Sequence, residues 1–393
     1  MSQSVQRISS FWIIAVMSLL SMIGPFAIDT YLPAFPAIEA EFGISRALLS
    51  QSLGFYLAAF AIATLFWGPI SDRFGRKTAI LGGMFLYLLA SLGCALAENY
   101  NHFLIFRVIQ GAASAGGMVA GRAMIRDMFD SQQAQRVMSY AIMFFALGPA
   151  AAPIIGAWLH DAYGWRSIFY FLALFSAVVT TMVLAIVYET LAADKRQSLH
   201  PLTVLSVYLK TLKNFRFQAL VLANAASFGG FFLFIAASPT ILFDFLGLAA
   251  EDYWMQFVPM VLGLVVGSFI SSRLSNSSPA NRTISIALLI MAIATLLNLF
   301  QAQFLQISIL SVVIPLFLYA LGMGMAMPAF TIMALDCFPE NKGSASAVQS
   351  FAQMMTNAIV ASIIVPLVDA SLMSLVLVQL TFIFIAVALW LNR

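Results

Sequence analysis

The chain has 393 residues, of which 62% are hydrophobic and only 9% charged, and a formal net charge of +3. A soluble protein carries roughly 25% charged residues, so too little charge is present to coat a water-exposed globule, and the outside must face lipid. The small net charge implies no nucleic-acid partner, and Cys94, Cys337, His102, His160 and His200 share no disulfide or metal-ligand spacing.

A helix that crosses hydrocarbon needs about 20 apolar residues. The first apolar run begins behind Arg7 and stays nearly uncharged to Ile38, too long for a cleavable leader, and predicts a span over 11–32. Asp29 is the only charged residue between Arg7 and Glu39, in the segment Asp29-Thr30-Tyr31-Leu32-Pro33-Ala34-Phe35-Pro36. Inside the low-dielectric layer, burial penalises a carboxylate and makes protonation possible. At the outer end of the span it is instead an interfacial acid.

Spans follow over 47–70 and 78–97, joined by Gly68-Pro69-Ile70-Ser71-Asp72-Arg73-Phe74-Gly75-Arg76-Lys77. Glycines allow two helix ends to approach, and the charges can lock a gate by ion pairs and helix-dipole contacts. An ordinary basic loop accounts for Arg73, Arg76 and Lys77, but not for Asp72 or the spaced Gly68 and Gly75. The fourth span, 101–122, carries Arg107-Val108-Ile109-Gln110-Gly111, with Arg107 roughly 9 Å deep at 1.5 Å per residue. A guanidinium keeps its charge, so Arg107 is a charge partner, a ligand anchor, or a side chain that snorkels to the surface. Asp127 follows this span. The fifth, 137–160, holds Gly148-Pro149, Pro153 and Gly156, which bend a helix and let it pack tightly, although any membrane bundle has such residues. The sixth covers 167–189.

The longest polar connection, 192–216, divides the chain into 1–191 and 217–393. Six further spans are predicted over 217–243, 253–272, 283–301, 305–333, 344–367 and 371–391. The halves echo each other: Leu32-Pro33 is matched by Ser238-Pro239, and Asp127-Met128-Phe129 by Asp336-Cys337-Phe338. Such repeats put a substrate site near the midplane between the halves. With both termini inside, every Lys and Arg except Arg46, Arg107 and Arg166 falls on the cytoplasmic side, as the positive-inside rule requires. Asn224, Gln353 and Asn357 are polar at membrane depth and serve either as interhelical glue or as cavity lining. Tyr31, Tyr56, Phe144, Phe228 and Phe231 either pack the core or line a greasy chamber, with Gln110 a further lining candidate. Asp244 and Asp369 read as interfacial.

The decapeptide from Gly68 to Lys77 resembles the loop signature of the major facilitator superfamily. Asp29 to Pro36 resembles a segment of its bicyclomycin and chloramphenicol resistance subfamily. Arg107 to Gly111, and the Gly148, Pro149, Pro153 and Gly156 set, resemble signatures of the twelve-helix drug:proton antiporters, although Ala157 replaces the usual second glycine. The resemblance implies an all-α membrane protein with two pseudo-symmetric six-helix bundles. It implies that Asp72 contacts the start of span eleven near Gly343-Ser344, and that Asp127 joins the charge cluster.

Together these readings predict a monomeric multi-pass protein of the bacterial inner membrane that exchanges protons for small amphipathic organic compounds, either drugs or a self-made metabolite such as a siderophore, by alternating access. Asp29 and Arg107 are the coupling candidates. The competing reading is a proton symporter that imports a small metabolite such as a nucleoside. No enzyme chemistry is legible, and the absence of a Walker motif leaves the proton gradient as energy source, with no cofactor.

Overall fold

The computed structural model describes residues 10–129, 131–191, 211, 213–274, 279–338 and 342–393. The side chains of 10–11, 126, 131–136, 138–146, 342 and 344 lie outside the description, and so does most of the expected linker over 192–216. The described residues form helices and no strands.

The first half consists of α1 (Ser10–Asp29), a 3-10 turn (Leu32–Ala34), α2 (Phe35–Phe42), α3 (Arg46–Phe74), α4 (Arg76–Ala95), α5 (Tyr100–Met128), α6 (Ser131–Tyr163) and α7 (Arg166–Ile186). The second half has α8 (Phe215–Ala236), a π turn (Thr240–Phe245), a 3-10 turn (Ala250–Tyr253), α9 (Trp254–Leu274), α10 (Ala280–Phe304) and α11 (Ile309–Asp336). It ends with α12 (Lys342–Ile359), a π turn (Val360–Ile364), α13 (Val365–Val368) and α14 (Leu372–Leu391). Among the described residues, eleven stretches are long and apolar enough to cross a membrane. Helix α6 occupies the remaining predicted span, giving the twelve expected.

Short polar residues start these helices. Ser45, Asn99 and Asn214 each accept a hydrogen bond from a backbone N–H three residues on, satisfying donors that a helix start leaves open. Gly75 ends α3 and starts α4 at φ +104°, a conformation that disfavours any side chain.

Within the first half α3, α4 and α5 pack most extensively, α7 lies on α4, and α1 lies on α6. In the second half α9 and α10 both pack on α11, and α14 on α8. The seam between halves is made by α3 with α12 and by α6 with α9, that is, by the second span with the eleventh and the fifth with the eighth. This pairing is what two pseudo-symmetric six-helix bundles produce. Helix α8 is 89% buried over its apolar window, against 33% for α14, so α8 faces the interior and α14 the lipid. Exposed apolar side chains such as Phe66, Leu184 and Phe384 cover the outside.

Candidate functional site

The motif Arg107-Val108-Ile109-Gln110-Gly111 acts through its one-turn spacing. Arg107 and Gly111 lie four residues apart on one face of α5. A Cβ at Gly111 would collide with the backbone carbonyl oxygen of Tyr56, so only glycine lets α3 approach this closely. That contact brings the Tyr56 ring onto Arg107, whose Cζ lies 4.5 Å from its centroid. Tyr31, just past the end of α1, stacks on the guanidinium at the same 4.5 Å. Gln110 accepts from Arg107 Nη1 at 2.6 Å and donates through Nε2 to Ser91 Oγ on α4 at 2.8 Å.

Arg107, Gln110, Tyr31 and Tyr56 are all 0% exposed. Snorkelling is thereby corrected: the side chain turns into the bundle because two ring faces and Gln110 receive it there. Burying an ion costs several kcal/mol even after relaxation. Two desolvated cation–π stacks of about 2 kcal/mol each and one charged hydrogen bond of about 1.5–3 kcal/mol are of the same order. Arg107 nevertheless keeps Nε and Nη2 without a hydrogen-bond partner.

Asp29 is 2% exposed, at the last residue of α1, and its Oδ1 also has no partner. No ion pair joins it to Arg107 among the described residues, although α1 and α5 are in contact. Asp29 is thus enclosed by protein at the end of α1. Helix α6 packs on both sides of it. Gly156 lies against the carbonyl oxygen of Thr30 and Gly148 against the Pro25 ring, and a Cβ at either would collide. Pro149 and Pro153 lie between them inside a continuous helix. Ala157, in place of the second glycine, is buried.

In the second half, Asn224 on α8 and Asn357 on α12 are buried with unpartnered Oδ1 atoms. Gln353 is half-buried one turn before Asn357. The rings of Phe228 and Phe231 meet at a tilt of 59°, with centroids 5.6 Å apart. The Phe144 side chain lies outside the described residues. Gln256, which sequence reasoning did not single out, is fully buried and donates to the Phe234 carbonyl at 2.9 Å, leaving Oε1 without a partner.

On the face bearing the basic loop, Arg76 is the hub. It pairs with Asp72 at 2.5 Å and Asp127 at 3.0 Å, and donates to Ser71 Oγ at 3.0 Å. Glu189 accepts from the Arg76 backbone N–H at 2.8 Å, an unforeseen member at the negative-preferring start of α4. Lys77 donates to the Leu184 carbonyl at 3.1 Å. Arg73 lies over the Phe74 ring. The two loop glycines differ: Gly75 makes the turn, whereas a Cβ at Gly68 would meet open space. Asp72 pairs within its own loop, Gly343 has open space around it, and the Ser344 side chain lies outside the described residues.

The opposite face holds contacts between the halves. Arg46 pairs with Glu39 at 2.8 Å and with Asp244 of the second half. The Tyr253 hydroxyl donates to the Leu32 carbonyl at 3.1 Å. Arg166 pairs with Glu41 inside the first half.

Comparison with known proteins gives a consistent picture. The profile described as Major Facilitator Superfamily matches residues 11–363. The chain is 30% identical over 285 residues to the bicyclomycin resistance protein homolog of Haemophilus influenzae, covering 72% of each chain. It is 28% identical over 344 residues to the chloramphenicol resistance protein of Pseudomonas aeruginosa, covering 85% of this chain and 79% of that one. A bacterial homolog of the human lysosomal transporter Spinster, crystallised in an inward-facing and unoccupied conformation, superposes with a TM-score of 0.75. The identity is 16%, and the match covers 99% of this chain and 97% of that one.

Proposed function

The chain belongs to the major facilitator superfamily, and on that premise we propose that this membrane transporter is a proton-coupled antiporter of the bacterial inner membrane. It exports small amphipathic organic compounds. The basic face is cytoplasmic, both termini lie on that side, and the protein works as a monomer with no cofactor besides the gradient. The names of the relatives support export of antibiotic-like compounds.

One observation carries the coupling mechanism. A carboxyl and a guanidinium, each deeply buried and each with unpartnered atoms, sit on contacting helices without an ion pair between them. In low dielectric such a pair is unstable as two separated charges. A neutral, protonated Asp29 is compatible with this arrangement. Loss of its proton creates a charge that draws Arg107, and a donor group of the substrate competes with the proton for the same carboxylate. Proton and substrate therefore exclude one another, which is the logic of exchange. Alternating access then requires the clamp at Arg46, which ties the two halves on the face opposite the basic loop, to open.

The test uses everted vesicles with chloramphenicol as probe and a proton uncoupler as control. Uptake into the vesicles, driven by an acid interior, is expected from the native chain and lost in Asp29→Asn with the protein still folded. Proton flux in the same direction as the probe would make the protein a symporter and overturn the proposal.

A further inference from the structure

We infer that Tyr31 and Tyr56 are positioning residues for Arg107, holding the guanidinium between two ring faces so that it stays charged without a carboxylate until Asp29 gives up its proton. This reading rests on the proton-exchange proposal and gives the two tyrosines a different task from lining a substrate chamber.

The geometry is built for holding. Each ring centroid lies 4.5 Å from Arg107 Cζ, within the range where a ring's quadrupole attracts a cation. Each hydroxyl has a serine partner. Tyr31 Oη shares a hydrogen bond of 3.3 Å with Ser52 Oγ, and Tyr56 donates to Ser114 Oγ at 3.0 Å. Ser114 in turn donates to the Gly111 carbonyl at 2.9 Å, so the Tyr56 ring is fixed to α5 itself, the helix that carries Arg107.

A ring face differs from a carboxylate in one decisive way: it attracts the cation without occupying its N–H donors. Arg107 Nε and Nη2 accordingly remain without acceptors although no solvent reaches them. An ion pair with a permanent acid would use those donors and hold them. The sandwich keeps them available for an acceptor that arrives during the cycle.

Tyr31 also links the sandwich to the acid. It lies two residues beyond Asp29, in the turn between α1 and the 3-10 segment Leu32–Ala34. The backbone there is short and pinned, because the Thr30 hydroxyl donates to the Phe26 carbonyl at 2.6 Å and Gly156 abuts the Thr30 carbonyl. A displacement of Asp29 toward Arg107 therefore moves one wall of the sandwich with it.

The experiment uses the full chain in proteoliposomes with labelled chloramphenicol. The variants are Tyr31→Leu, Tyr56→Leu, Tyr31→Phe and Tyr56→Phe, each first checked for a single elution peak and an unchanged melting curve. Two modes are compared: exchange of label at equal pH on both sides, and net transport driven by a pH gradient. The Leu variants should lose gradient-driven transport by about tenfold or more while exchange stays within about threefold, and the Phe variants, which keep the ring, should stay within about threefold in both modes. Leu variants that keep gradient-driven transport would overturn the inference. So would Phe variants that fail as the Leu variants do, or a folded Leu variant that loses both modes equally. A native protein indifferent to the gradient would instead remove the exchange proposal on which the inference stands.

Discussion

Arg46, the first residue of α3, pairs with Asp244 of the π turn after α8, across 198 positions of chain and from one half of the molecule to the other. The same guanidinium holds Glu39 at 2.8 Å. Close by, the Tyr253 hydroxyl reaches the Leu32 carbonyl at 3.1 Å. These contacts tie the halves together on the face opposite the basic loop.

Reversing the charge should loosen that tie. The Arg46 side chain is 18% exposed and Asp244 50%, and exposed pairs contribute only about 0.2–1 kcal/mol. Arg46→Asp or Asp244→Arg should therefore shift the closed-to-open ratio by up to about fivefold. The double exchange should restore it, since an arginine at 244 meets both the new aspartate and Glu39. Spin labels on the exposed Ala40 and Ala249, one in each half, report the separation. Equal distances in the single and double variants would dismiss the pair as a clamp.

Two glycines should respond in opposite ways to a single methyl. At Gly111 the methyl meets the Tyr56 carbonyl oxygen, which belongs to a helix backbone and cannot rotate away. Gly111→Ala should cost about 1–3 kcal/mol through overpacking, and should reduce transport by pushing the Tyr56 ring off Arg107. Gly68 sits inside α3 with open space around it. Gly68→Ala should leave the melting temperature unchanged or raise it, since alanine is favoured over glycine in a helix by about 1 kcal/mol. Thermal melting of the two purified variants decides the matter.

The twelve spans were legible because lipid leaves only one solution for the backbone, and each uncharged run of sufficient length marks a helix. The three arginines that the charge rule set apart each have partners in the structure. Arg46 and Arg166, which the rule leaves on the other side, each have an acid beside them, Glu39 with Asp244 and Glu41 respectively. Arg107 lies within a span because two tyrosines receive it. What the sequence could not give was the identity of these partners. Asp244 and Tyr31 are brought to their arginines by the packing of separate helices, and no local spacing encodes that. Glu189 escaped notice for the same reason, joining the basic loop from the end of the sixth span.

Arg76 should not tolerate exchange for lysine. Its Nε serves Asp127 while Nη1 serves Asp72 and Ser71, a division of labour that needs a planar fork. A lysine ammonium presents a single charged atom and cannot hold both carboxylates in that geometry. Arg76→Lys should cut the maximal transport rate by about tenfold with little effect on half-saturation, since no substrate contact is removed. Arg73→Lys, whose side chain only covers the Phe74 ring, should stay close to native. If both lysines behave alike in a transport assay, the loop acts through net charge and not through a bridging guanidinium.

Gly156 offers the sharpest test of how α6 governs the acid. A Cβ there would collide with the carbonyl of Thr30, the residue that directly follows Asp29. A methyl there must displace backbone, and the nearest movable backbone is the turn that carries Asp29 and Tyr31. Gly156→Ala should therefore reduce gradient-driven transport more than it reduces stability, by about tenfold against a loss of about 1–3 kcal/mol. The neighbouring Ala157 supplies the control. It is buried in the position where a second glycine is usual, so Ala157→Gly removes a contact without creating a clash. That variant should lose about 1 kcal/mol from helix propensity alone and keep its transport. Gradient-driven and equal-pH transport, measured beside thermal melting for both variants, separate the two effects. If Gly156→Ala loses stability and both transport modes in parallel, α6 supports the bundle without acting on Asp29.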